Sequence, residues 1–204
     1  MKIFRFLSKQ QSRTKMTTSF LRTILTRSKN NKEIISVWQY NGDKGSLAGY
    51  VTEISDEHFT LKHFTAYGKC DGLILIRLSN VKTIDFNDDY TRVMECVIQY
   101  SSVFDTPSTF DVAINFAENW QSEAIRKLVD APDEIASIEI NGNEFFTGFV
   151  KEISEEDFIL SCVGKNGEDQ GTALFRLEDV TEIRVSDLDN RRRALLYKWR
   201  KASL

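Results

Sequence analysis

Two histidines, three cysteines and a recurring arginine are the residues of this 204-residue chain with the most chemical reach. His58 and His63 stand five positions apart. On an extended strand an odd separation places them on opposite faces, so they do not converge on one metal ion. Cys70, Cys96 and Cys162 are odd in number, widely spaced and form no C-x-x-C pair. That pattern suits neither a disulfide framework nor a zinc site and points to a reducing, cytoplasmic setting. The acid clusters Asp56-Glu57, Glu155-Glu156-Asp157 and Asp187-x-Asp189 lack the glycine of a calcium loop and read as solvated turns. No phosphate loop, nucleophile elbow or dinucleotide fingerprint occurs. The expectation is a protein without catalytic residues, metal or cofactor.

The arginine stands out because the chain contains it twice in one context. Gly49–Phe86 recurs without a gap 99 positions later as Gly148–Val185, with 15 of 38 positions identical. Arg77 and its copy Arg176 lie inside the apolar runs LILIRL and ALFRL. A charge kept in both copies implies a defined partner. Glu53/Glu152 and Glu57/Glu156, also kept, are candidates for an internal ion pair, and an anion or a protein partner is the other reading. Three further arginines, Arg191, Arg192 and Arg193, lie on the basic carboxyl-terminal segment and are candidate binding residues.

The elements that must position these residues follow from the repeat. Each copy reads as five short strands separated by turn signals. In the first, Glu33–Tyr40 leads into Asn41-Gly42, followed by Leu47–Ser55, His58–Thr65, Leu73–Leu78 and Val81–Phe86. The second has Asp133–Ile140 leading into Asn141-Gly142, then Phe145–Ser154, Asp157–Val163, Thr172–Leu177 and Val180–Val185, with a first hairpin one residue shorter. Val51 and Ile54, like Val150 and Ile153, are three apart, so a strand burying both must carry a bulge or sharp bend. The pairs Gly68/Gly72 and Gly167/Gly171 read as turn punctuation.

Helices are expected to flank the strands. Thr17–Ser28 sets Phe20, Leu21, Ile24 and Leu25 on one face, and Glu118–Val129 repeats the pattern with Trp120, Ala124, Ile125 and Leu128. Asp88–Val103 and Asp187–Lys201 are further helices, the first striped by Tyr90, Val93, Met94, Val97 and Ile98, the second by Leu188, Leu195, Leu196 and Trp199. Phe110, Val112, Ile114 and Phe116 alternate as in an extended segment. The expected layout is a basic amino end over 1–16, helix and barrel over 17–87, a helical linker over 88–116, a second helix and barrel over 117–186, and a basic helix over 187–204.

Charge is segregated along this layout. Residues 1–32 hold nine Lys/Arg and 191–204 hold six, neither segment with an acid, whereas 33–190 hold all 30 acids against 12 Lys/Arg, a net of −18. Basic ends attract nucleic acid, an anionic surface or the acidic body itself. The amino end superficially resembles a transit peptide, but its second half has a counterpart before the second copy, which argues for a structural helix. No apolar run is long enough for a transmembrane helix.

A helix, then five strands with a glycine opening a bent second strand, resembles the Sm-like fold, including the bacterial Hfq type, and other SH3-like small barrels. The residues that carry the resemblance are Gly49-x-Val51-x-x-Ile54-Ser55, Phe59-x-Leu61 and Val81-x-x-Ile84, with Gly148-x-Val150-x-x-Ile153-Ser154, Phe158-x-Leu160 and Val180-x-x-Ile183 in the second copy. It implies two tandem five-stranded barrels able to pair through their edges. It does not carry an RNA site: Ser55 and Ser154 replace the usual Asp, and Arg77-Leu78-Ser79 and Arg176-Leu177-Glu178 replace the second RNA-binding motif. The expected function is a non-catalytic adaptor whose partner is a protein, or a second copy joined through barrel edges. The alternative is an RNA-binding protein using the basic terminal segments.

Overall fold

The computed structural model describes residues 20–40, 45–106, 119–142 and 144–202. The chain divides into two compact units, Met1–Ile98 and Gln99–Leu204. The first contains helix α1 over residues 20–31, strands β1 (Ile35–Gln39), β2 (Leu47–Ile54), β3 (His58–Phe64), β4 (Cys70–Arg77) and β5 (Val81–Phe86), and all but the last residue of helix α2, Asp89–Gln99. The second repeats the order with α3 (Trp120–Val129), β6 (Ala136–Ile140), β7 (Glu144–Ile153), β8 (Asp157–Val163), β9 (Asp169–Arg176), β10 (Val180–Val185) and α4 (Leu188–Ala202). Each unit is one antiparallel five-stranded sheet, ordered β4-β3-β2-β1-β5 and β9-β8-β7-β6-β10. Among the described residues no ladder joins β4 to β5 or β9 to β10, so each sheet has two open edges. No helix of the described residues is long and apolar enough to cross a membrane.

Each sheet carries an apolar cluster on both of its faces. In the first unit Leu25 of α1 packs with Val37, Val51, Phe59, Leu61 and Ile76 on one face. Ile34, Ala48 and Phe64 pack with Met94 of α2 on the other. In the second unit Ile125 and Leu128 of α3 join Ile138, Val150, Phe158 and Leu160, while Ala194 and Tyr197 of α4 cover Ile135, Phe149 and Val163. The helix after each sheet thus belongs to the repeat as fully as the one before it. Burial of these side chains, on the order of 2 kcal/mol each, is the main source of stability.

The bend expected in the second strand is present in both copies. One residue is inserted between Val51 and Glu53, and again between Val150 and Glu152. The insertion turns Val51 and Ile54, and likewise Val150 and Ile153, toward the same core. The glycine that opens the bend is required by close approach: a Cβ on Gly49 would lie 2.0 Å from the Lys62 carbonyl oxygen, and one on Gly148 2.1 Å from that of Ser161. Gly68 and Gly167 have positive φ and pass against α2 and α4, where a Cβ would meet Val97 and Leu196 backbone atoms at 2.4 Å.

Several boundaries differ from expectation. β4 and β9 start at Cys70 and Asp169 rather than Leu73 and Thr172. Gly72 and Gly171 therefore lie within a strand, beside a shift in register against β3 and β8. Ile35 pairs with Gly49 and Ala136 with Gly148, spacings of 14 and 12, so the second hairpin is two residues shorter rather than one. Phe20 and Leu188, expected on apolar faces, are exposed. The helix expected to reach Val103 ends at Gln99 and continues as a 3-10 segment, Ser101–Asp105. The extended segment expected around Phe110–Phe116, the first three residues of the helix expected over Thr17–Ser28 and the basic amino end lie outside the described residues.

Candidate functional site at the sheet edges

Strand alternation decides what β4 and β9 present. Ile74 and Ile76 point into the core of the first unit. Leu73, Leu75 and Arg77, two apart, must then share the opposite face, and Leu73 and Leu75 are 66% and 70% exposed. In the second unit Phe175 packs against Phe158 and Phe146, with ring centroids 5.6 and 4.6 Å apart. Leu174, 64% exposed, and Arg176 face outward. Leu75-x-Arg77 and Leu174-x-Arg176 are therefore one exposed motif present twice. Each lies on a strand hydrogen-bonded on a single side among the described residues. Exposed leucines on an open edge are normally avoided, because unpaired N–H and C=O groups beside an apolar surface invite another strand.

The two arginines differ in their surroundings. Arg176 Nη1 lies 2.9 Å from the Glu178 carboxylate, an exposed ion pair. The first unit has Ser79 in place of Glu178, and among the described residues Arg77 has no ion pair. Neither Glu53/Glu152 nor Glu57/Glu156 supplies the partner that the repeat pattern suggested. Exposed pairs of this kind contribute at most about 1 kcal/mol, so folding gives little reason to keep the arginine in both copies.

Arg191, Arg192 and Arg193 are engaged within their own unit. They donate to the backbone carbonyls of Val103, of Lys165 at 2.8 Å and of Val163 at 3.1 Å. Arg200 reaches the Asn166 carbonyl at 2.7 Å. Lys198 lies 3.1 Å from Asp133 and Lys201 3.1 Å from Asp169. The basic helix is thus moored to the acidic body. A backbone hydrogen bond from Gly171, and then Lys201, hold the Asp169 carboxyl below its ordinary value; Asp169 in turn raises Lys201. Below these contacts the buried Asn190 accepts from the Ser137 hydroxyl at 2.7 Å and donates to the Arg184 carbonyl at 2.9 Å.

The remaining candidates do not converge. His63 Nδ1 is 2.9 Å from the Ala48 carbonyl oxygen and Nε2 is 3.8 Å from Asp71, whereas His58 pairs with Arg77 at the far end of β3. Cys70 is exposed, Cys96 buried and Cys162 half-buried. Burial pushes the Cys162 thiol up, opposite to what a nucleophile needs.

No family model, curated protein or solved structure matches this chain. Arg77 and Arg176 were legible in the sequence as a repeated charge in an apolar run. Leu73, Leu75 and Leu174 were not recognised, although the signal was there. If the arginine faces solvent, so do the residues two and four positions before it.

Proposed function

We propose that this chain is a non-catalytic cytoplasmic adaptor in which two small barrels, Sm-like or SH3-like in build, each offer an edge strand to a protein partner. Chain length supports the barrel. β4 and β5 stand at opposite ends of a five-strand order, about 19 Å apart if the sheet were flat. Only Leu78–Asn80 connect them, a link spanning at most about 14 Å extended and less as a 3-10 turn. The sheet has to curl to satisfy that link, and the insertion in β2 supplies the bend. The same reasoning applies to β9, Leu177–Asp179 and β10.

The observation that carries the binding reading is Leu75 and Leu174, identical in the two copies and exposed on open edges. An extended segment added to such an edge gains main-chain hydrogen bonds, with apolar contact at the leucine and a charge-assisted bond at Arg77 or Arg176. The arginines of α4, occupied by carbonyls, lend no support to an RNA role.

The test is affinity capture from native lysate with and without RNase, comparing the wild-type chain with a Leu75→Glu/Leu174→Glu variant. Capture of the same protein with or without RNase, lost in the variant, is the expected result. Capture that RNase abolishes, or that the variant retains, overturns the proposal.

A further inference from the structure

The two units treat one groove differently. In the first, Arg22 of α1 reaches the turn between β2 and β3. Its Nη2 donates to the Asp56 carbonyl oxygen at 2.7 Å and lies 3.4 Å from the Asp56 carboxylate. The second unit builds the same turn around Glu155. Ser55 and Ser154 close the two turns by N–H bonds to the carbonyls of His58 and Asp157, and Leu78 and Leu177 donate to those of Glu57 and Glu156, all at 2.8 Å. The helices also correspond, buried Leu25 matching Ile125. At the position of Arg22, however, stands Ser122, whose side chain is too short to span the groove.

The space that remains is a cleft of about 600 Å³, with Ser122, Arg126, Glu155, Glu156, Arg176 and Glu178 among its walls. Arg176 and Glu178 satisfy each other. Among the described residues the Glu155 and Glu156 carboxylates and the Glu155 carbonyl have no hydrogen-bond or ion-pair partner. Arg126, one helical turn beyond Ser122, bonds to none of them. Setting aside the Arg176–Glu178 pair, the cleft has two acids against one base. It is left with the carbonyl and carboxylate that, in the first unit, accept from a guanidinium.

We propose that the cleft of the second unit binds an arginine side chain of a protein partner, seated where Arg22 sits in the first. A planar guanidinium can serve a carbonyl and a neighbouring carboxylate together, which a lysine ammonium does less well. The partner class rests on the adaptor reading, but the cleft can be tested without it.

The probe is acetyl-Gly-Arg-Gly-amide, too short to hold a strand edge, titrated into the full-length ¹⁵N-labelled chain. Expected are amide shifts at residues 155–156 and in the first turn of α3, with the lysine peptide at least fivefold weaker. Ser122→Arg, which restores the first unit's arrangement, should abolish them, and Glu155→Gln should weaken binding severalfold. Arg22→Ser should create a second responding site at residues 55–57. Leu174→Glu should leave every shift in place, which separates this site from the edge. No shifts at 155–156, an equal response to the lysine peptide, or shifts undiminished by Ser122→Arg would overturn the proposal.

Discussion

The first unit fills its helix-to-turn groove with Arg22, whereas the second leaves the matching groove open beside Glu155. Both units nonetheless keep an exposed leucine and arginine on the same open edge strand. Divergence in one place and constancy in another, on one scaffold, separate what the units share from what is private to each. The shared part comprises the bend at Gly49 and Gly148, the close turn at Gly68 and Gly167, and the Leu-x-Arg edge. Folding explains the first two. The third leaves Leu75 and Leu174 exposed and returns nothing to the core, which is the ground for proposing it as a binding edge.

The strongest challenge to this equivalence is a side chain at the bend. Gly148→Val forces a Cβ to within 2.1 Å of the Ser161 carbonyl oxygen and should destabilise the second unit by about 3 kcal/mol. Gly49→Val should cost the first unit as much. Urea unfolding followed by residue-resolved NMR reads both, and a markedly smaller loss in one unit would show that the bends are not equivalent.

Next in size are buried polar groups that only one unit uses. Ser28 is fully buried; its hydroxyl donates to the Glu33 carbonyl at 2.8 Å and accepts from the Val51 N–H at 3.1 Å. The second unit has Leu128 at that place. Ser28→Ala should cost the first unit about 2 kcal/mol by leaving these backbone groups unpaired, and Asn190→Ala should cost the second a similar amount through Ser137 and Arg184. Thermal unfolding should show each loss confined to its own unit.

The layout was legible in the sequence because an internal copy is a strong signal. The 99-residue offset holds through β3, β4, β5 and their partners, and Val51 with Ile54 foretold the bulge. The edge was missed for a physical reason. Leu73 and Leu75 sit in a continuous apolar run, which reads as a buried strand, and only the position of Arg77 in the alternation shows which face is wet. The partners of Arg191–Arg193 could not be read either, since backbone carbonyls leave no mark in composition. Nor could the open groove, which depends on the length of one side chain, Ser122, set against a turn 33 positions away.

The smallest expected effects lie at the surface. Leu75→Glu and Leu174→Glu should change stability by no more than about 0.5 kcal/mol while removing partner capture. Unequal losses of capture between the two single variants would rank the two edges. The carboxyl of Asp169 is held low by Gly171 and Lys201. Its mooring of α4 is therefore fully present above the ordinary carboxylate range and is lost only as pH falls below that range. Lys201→Ala should reduce the part of this acid sensitivity that reaches α4, read as the pH dependence of α4 amide exchange, while the Gly171 bond keeps the Asp169 carboxyl low and the first unit stays unchanged.

The most direct test of the adaptor account is amide hydrogen exchange of the chain alone and with its captured partner. Strand addition predicts new protection concentrated on β4, β9 or both, on amides that are open in the free chain. Protection confined to α4, or an exchange pattern unchanged along both edges, would contradict it.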